Sequence, residues 1–324
     1  MRIGNVTFPH LPVILAPMED ITDPPFRLLC KEMGADWVYT EFISADGLIR
    51  DSNKSRHKLD IYPQERPVSI QIFGAHTEAM VGAAVAAEKA APDFIDINFG
   101  CPVRKVASKG AGSGIMNDIP KMEEMTRRIV KAVNLPVTVK TRLGYDRERQ
   151  QIVEIAERLQ DCGIAALAIH GRTRCQMYRG TADWSLIGEV KNNPRMHIPI
   201  IGNGDICDGP ATLKAFEKYR VDGVMIGRAC IGNPWIFKEV RYFLSTGEQL
   251  PSPGLKERLE VCRRHIELSV AWKGEKTALF EMRKHYSNYF KGIPGFKPYR
   301  IRLVTASSLE DLYKVLHDIE IAFS

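Results

Sequence analysis

Asn98 and Cys101 stand three residues apart in Ile95-Asp96-Ile97-Asn98-Phe99-Gly100-Cys101-Pro102, where an apolar, β-branched run gives way to a glycine and then a proline. Such a run is a buried strand. Gly100 allows a sharp turn and Pro102 stops further pairing, so an amide and a thiol are delivered to the strand's C-terminal end. In a parallel barrel that end is where chemistry is done. Arg104, Lys105 and Lys109 follow, then the small residues Gly110-Ala111-Gly112-Ser113-Gly114. A thiol in an electropositive, partly open setting is the reactive kind, and the small residues are expected to let a large ligand approach the backbone. Cys30, Cys162, Cys175, Cys207, Cys230 and Cys262 read instead as small buried hydrophobes.

Other apolar segments end in the same manner. Residues 13–16 lead into Ala16-Pro17-Met18, 37–40 into Thr40-Glu41, and 68–72 carry Gln71; 137–140 end in Lys140 with Arg142 beyond. Residues 166–169 precede His170 and Arg172, 198–201 precede Asn203-Gly204-Asp205, and 223–226 precede Gly227-Arg228. With residues 94–97 these make eight strand candidates, separated by amphipathic stretches such as 121–133, 151–162 and 210–219. Eight βα units predict an α/β protein built on a closed (β/α)8 TIM barrel. Packing alone would place any one of these polar groups, but not all of them at the same end of successive strands.

Lys140 at the end of a core strand needs an anionic or hydrogen-bonding partner. A flavin supplies one, because a cation near its pyrimidine end stabilises the charge of the reduced ring, and Gln71 can donate and accept at the same edge. The glycine loops at 202–205 and 227–228 follow strands seven and eight, where barrels commonly hold a phosphate. His170 reads as a ring or phosphate contact, as an acid, or as a satisfied structural group.

The 324 residues are 44% hydrophobic and 26% charged, with a net charge of +6. That is ordinary globular composition, and the charge is weak support for a polyanionic partner. No apolar run is long enough to span a bilayer and the first residues lack the apolar core of a secretory signal, so a cytoplasmic protein without membrane contact is expected. Seven cysteines with no CxxC pair suggest neither a disulfide framework nor a metal site. Ser252-Pro253-Gly254 reads as a linker, and 255–272, 276–289 and 308–319 as helices. The expected division is a catalytic barrel over 1–245 and a helical domain over 246–324. Residues 282–309 contain no Asp or Glu but carry Arg283, Lys284, Lys291, Lys297, Arg300 and Arg302, interleaved with Tyr286, Tyr289, Phe290, Phe296 and Tyr299. Basic residues suit phosphates and aromatics can stack on bases; the alternative is that the rings are helix core and the charges a solvated face.

Taken together, Leu15-Ala16-Pro17-Met18 with Thr22-Asp23, Asn98 to Pro102 with Lys105-Val106 and Gly112-Ser113, Lys140-Thr141-Arg142, His170-Gly171-Arg172-Thr173, Asn203-Gly204-Asp205 and Gly227-Arg228 resemble the tRNA-dihydrouridine synthases nearly end to end. Met282-Arg283-Lys284-His285 and the region of Gly292 bring the resemblance nearest to the bacterial B-type branch. It implies an FMN-bound barrel that reduces the 5,6 double bond of a uridine in tRNA, with NADPH (or NADH) as electron donor and no obligate protein partner. Carried over by position, Ala16, Pro17, Met18, Gln71, Lys140, His170, Asn203, Gly204, Asp205, Gly227 and Arg228 hold FMN. Asn98 and Arg142 orient the uracil, Cys101 donates a proton, and Arg283 and Lys284 grip the tRNA. The competing readings are a flavin barrel acting on a free pyrimidine, of the dihydroorotate dehydrogenase type, and a barrel that binds RNA without catalysis.

Overall fold

The computed structural model describes residues 1–323. Eight parallel strands form its frame: β1 Val13–Leu15, β2 Val38–Tyr39, β3 Val68–Phe73, β4 Phe94–Asn98, β5 Val137–Arg142, β6 Ala166–His170, β7 Ile200–Asn203 and β8 Gly223–Ile226. They pair in the ring order β1-β8-β7-β6-β5-β4-β3-β2, and a parallel bridge between Ile14 and Trp37 closes the ring. This is the (β/α)8 barrel that the segment rhythm predicts. β7 begins two residues later than its apolar run because Pro199 has no N–H to give to a ladder.

The strands are apolar on both faces because helices cover the outside while side chains fill the inside. Asp23, Asp118 and Asp208 start three of the covering helices by accepting the N–H groups of Phe26, Lys121 and Ala211. Inside, one end is plugged by Trp37, whose ring lies 4.9 Å from Tyr39 and 4.7 Å from Phe94. Ala166 and Ala168 leave room for these rings in the same cluster. A two-strand hairpin of Arg2–Ile3 and Val6–Thr7 precedes β1, and Ile3 joins that plug.

The helix Ile236–Thr246 buries Ile236, Phe237 and Val240 in the barrel's outer core. Four more helices, Leu255–Lys273, Glu275–Tyr289, Lys297–Thr305 and Leu309–Phe323, surround a second apolar cluster. The helix at 297–305 escapes a reading by periodicity: it buries Leu303 alone, and its Pro298 sits in the first turn, where proline starts a helix instead of breaking it. Tyr286, Tyr289, Phe290 and Phe296 are 0, 1, 1 and 8% exposed. These rings are therefore core and cannot stack on bases, whereas the six basic side chains interleaved with them are exposed. Arg302 is already paired with Asp318 at 2.5 Å.

These helices seat on the barrel through polar contacts. Both terminal nitrogens of Arg264 donate to Glu32 at 2.6 Å, Lys273 pairs with Asp23 and Glu281, and Phe26 packs on His265 and His285. Among the described residues no helix is long and apolar enough to cross a membrane.

Candidate active site

Register brings the polar strand ends to common levels. Asn98 pairs with Lys140 across β4 and β5, Arg142 with His170 across β5 and β6, and Asn203 with both His170 and Met225 across β6, β7 and β8. Alternation then aims these side chains inward. They open into a cavity of about 660 Å³, within the range of small-molecule sites, lined by Ala16, Pro17, Met18, Asn98, Cys101, Lys140, Arg142, His170, Asn203, Gly204, Asp205, Gly227 and Arg228 among others.

Cys101 lies on the loop after β4, 7% exposed. Its N–H and that of Gly100 donate to Asn98 Oδ1 at 2.9 and 3.0 Å. Its carbonyl accepts from the hydroxyl and the N–H of Ser113 at 2.7 and 3.1 Å. A methyl group at Gly112 would stand 2.9 Å from Cys101 Cβ, and one at Gly114 2.1 Å from the Ala107 carbonyl. The small-residue run is therefore needed for packing the Cys101 loop against its own neighbours, not for the approach of a ligand. Burial pushes the thiol pKa up, against the opposing pull of Arg142 and Lys140, so the group stays protonated at neutral pH. Two of the remaining cysteines depart from the buried-hydrophobe expectation, since Cys175 and Cys207 are exposed.

Lys140 donates to Asn203 Oδ1 at 3.0 Å, and Asn203 Nδ2 donates to the Met225 carbonyl at 2.8 Å. Burial, helped by Arg142, pushes the Lys140 ammonium down to about 7. Arg142, 2% exposed, donates to the carbonyls of Gly100, Thr173 and Met177 at 2.7, 3.1 and 2.9 Å and so ties the Cys101 loop to the loop after β6. Arg172 contacts His170 Nε2 at 3.3 Å. A guanidinium can only donate, so that nitrogen accepts and Nδ1 carries the proton. Burial and the cations Arg142, Lys140, Arg172 and Arg228 push His170 well below its ordinary value, so it is a neutral hydrogen-bonding group and not an acid.

The loop after β7 is held by Asp205, which accepts from Arg172 at 2.7 Å, Arg228 at 3.1 Å and the N–H of Ala182 at 2.8 Å. Trp184 packs where a Gly202 side chain would otherwise project, 2.1 Å from its ring, and donates to the Gly204 carbonyl at 3.0 Å. Lys140, Arg142 and Arg228 thus line a cavity whose acidic groups, Glu19 and Asp205, are already committed to Lys58 and to Arg172 and Arg228. Lys140 and Arg142, which bond only to neutral oxygens, stand beside an apolar wall of Met18, Ile206 and Met225 and suit an anionic, ring-bearing ligand such as FMN.

Two expectations change. Gln71 is not on the lining: fully buried, it donates to Asp96 and accepts from Asn98. The Asn98 oxygen is occupied by the Cys101 loop, so toward a substrate its amide has only a donor to offer. Arg283 and Lys284, expected to grip tRNA outside the cavity, lie off it, Arg283 with its guanidinium 5.5 Å from the Phe280 ring and Lys284 paired with Asp20 at 2.9 Å. Conversely, sequence reasoning misses Tyr178. It is 51% exposed at the cavity's rim, with the Arg142 and Arg228 guanidiniums 5.7 and 5.2 Å from its ring. An aromatic between Arg174 and Arg179-Gly180 in a polar loop after His170 is the available signal. Glu19, Asp20 and Glu41 bring carboxylates together, but Lys58 and Lys284 meet their charge.

Comparison with known proteins agrees with this geometry. A family model described as dihydrouridine synthase (Dus) matches residues 14–323. A tRNA-dihydrouridine synthase B of Pseudomonas putida is 38% identical over 324 residues, 100% of this chain and 94% of its own. One of Xanthomonas axonopodis pv. citri is 41% identical over 288 residues, 89% of this chain and 86% of its own. Among solved structures, a morphinone reductase superposes with a TM-score of 0.56 at 14% identity, covering 78% of this chain and 91% of that one, which bears on the fold alone. A match that runs almost the whole length, with B-type relatives at this identity, means that the chain belongs to the dihydrouridine synthase family.

Proposed function

We propose that this protein reduces the 5,6 double bond of specific uridines in tRNA to give 5,6-dihydrouridine. The observation that carries the reading is a thiol, Cys101, fixed by its loop at the wall of a cavity lined by Lys140 and Arg142, within a chain of the dihydrouridine synthase family. When bound in the cavity, FMN would supply the hydride for carbon 6 of the uracil, with NADPH or NADH as the source of electrons. Cys101 gives its proton to carbon 5, and its buried, neutral state suits it to that step. Lys140 would stabilise the charge of the reduced ring, and the backbone of Gly204, Asp205 and Gly227 with the Arg228 side chain would hold the phosphate, while the Asp205 carboxylate fixes Arg172 and Arg228. Arg142 and the free donor of Asn98 orient the uracil. Such a reaction belongs in the cytoplasm, where tRNA and reduced thiols are found.

A uridine must leave its stack to enter a barrel mouth, at a cost of a few kcal/mol. We assign residues 1–245 to catalysis and 246–324 to holding the rest of the tRNA, which offsets that cost. The grip is electrostatic, since Tyr286, Tyr289, Phe290 and Phe296 are core and Tyr299 packs half-buried against them. Replacing Arg283 and Lys284 by Ala should weaken tRNA binding and lower the slope of log affinity against log salt by up to about two, nearly one per lost phosphate contact. Flavin loading should be unchanged, and thermal unfolding measured alongside separates binding from folding. An unaltered salt slope would remove these two residues from the interface.

The function is tested with purified protein, NADPH and an unmodified tRNA transcript, by counting dihydrouridine formed against NADPH consumed. Equal amounts support the reading. Turnover of free orotate or uracil but not tRNA would place the protein with the small-molecule barrels. A colourless protein that binds tRNA without turnover would be an RNA-binding scaffold.

A further inference from the structure

A continuous line of hydrogen bonds runs from the barrel interior to the Cys101 loop. Thr138 Oγ1 donates to Asp96 Oδ1 at 2.5 Å, and Gln71 Nε2 to Asp96 Oδ2 at 2.7 Å. Asn98 Nδ2 donates to Gln71 Oε1 at 2.8 Å, and Asn98 Oδ1 accepts the N–H groups of Gly100 and Cys101. Asp96 and Gln71 are fully buried, Thr138 is 1% exposed and Asn98 7%, so water does not substitute for a lost partner. The line has a direction, because each amide can present oxygen one way and nitrogen the other. A carboxylate accepts only. It therefore turns the Gln71 nitrogen toward itself, which turns the Gln71 oxygen toward Asn98, which turns the Asn98 oxygen toward the two N–H groups of the loop. Burial pushes the Asp96 carboxyl up to about 6, leaving it ionised at neutral pH.

We propose that Asp96 is a positioning residue that sets the orientation of Gln71 and Asn98 and through them holds the Cys101 loop in place. The inference rests on the reading of Cys101 as proton donor only for its effect on turnover; its effect on the loop stands separately. In Asp96→Asn only one acceptor oxygen remains at position 96, and where Thr138 keeps it the new amide nitrogen faces Gln71. Gln71 must then turn its oxygen toward that nitrogen and its own nitrogen toward Asn98. Asn98 turns in response, and its NH2 is set against the N–H groups of Gly100 and Cys101. Asp96→Asn combined with Gln71→Glu repairs the direction: the amide now at position 96 donates to the carboxylate now at position 71, which accepts from Asn98 as Gln71 did. Shape and total charge are those of the native protein.

The test is the rate at which iodoacetamide alkylates Cys101, read on its own peptide by mass spectrometry so that the exposed Cys175 and Cys207 do not interfere. Asp96→Asn should free the loop and raise that rate about tenfold or more, the scale of losing buried hydrogen bonds, while single-turnover reduction of tRNA falls by a similar factor. The double variant should return both toward native values. A packing role predicts no change in either isosteric variant. A role limited to balancing Lys140 predicts altered flavin affinity with native alkylation. The Thr138 hydroxyl can also accept, so Asp96→Asn is read together with Gln71→Met: native alkylation of both, or a double variant no better than a perturbed single one, overturns the proposal. If Asp96→Asn does not fold, Gln71→Met breaks the line at its middle without touching a charge, and native alkylation there overturns it equally. If Cys101→Ala retains turnover, the proton-donor reading fails while the alkylation series still reports on the loop.

Discussion

Cys101→Ala should purify with its full flavin content and be reduced by NADPH at the native rate, yet reduce uridine in tRNA about 10²-fold more slowly or worse, the typical contribution of a general acid. The separation follows from the geometry. The thiol is fixed through backbone bonds to Asn98 and Ser113 that an alanine can still make, so the loop and the cavity survive and only the proton is lost. Stopped-flow measurement of flavin reduction and of its reoxidation by tRNA reads the two halves apart. Slowing of both would mean that the side chain shapes the cofactor site; slowing of neither would mean that another group supplies the proton. Cys207→Ala, at an exposed thiol on the same cavity wall, should leave both halves near native.

Lys140→Met should give protein depleted in flavin, or flavin-bearing protein with a lowered reduction potential. The Lys140 ammonium is matched here by no carboxylate in contact; it donates to the neutral oxygen of Asn203, and burial together with Arg142 disfavours its charge. The electron-rich carbonyl edge of a bound flavin would raise its pKa from about 7, so the charged form binds it more tightly. The sign of the pH dependence follows: affinity for FMN is greatest below about pH 7 and declines as pH rises from there to the pKa of the complex, at most tenfold per pH unit for one proton. Fluorescence titration of the apoprotein with FMN between about pH 6 and about pH 9 measures it, and Lys140→Met should flatten the decline. Full loading with an unchanged potential and an unchanged pH profile would remove Lys140 from the flavin site.

The barrel is legible in the sequence because each strand is a short apolar run closed by a polar residue, a pattern that survives without knowledge of tertiary contacts. Loop and interior geometry is less so. Gln71 has the right chemistry at the right strand, but its register partner is Asp96, two positions below Asn98 on the same inward face; that one layer of depth puts it behind the cavity wall. Gly112 and Gly114 signal close approach correctly, yet what approaches is Cys101 and the Ala107 backbone. Tyr178 and Glu19 reach the cavity from loops whose aim is set by distant partners, Arg142 and Arg228 for the one and Lys58 for the other. In the helices after the barrel, charge and ring content alone cannot separate stacking aromatics from core. Burial of Tyr286 and Tyr289 decides it.

The central claim, that this chain makes dihydrouridine in tRNA, is tested most directly by mass-spectrometric mapping of dihydrouridine in tRNA from cells with the protein, without it, and with Cys101→Ala in its place. At least one uridine position should lose the modification when the protein is removed, regain it with the native chain, and fail to regain it with Cys101→Ala. A map that is identical in all three strains would contradict the account.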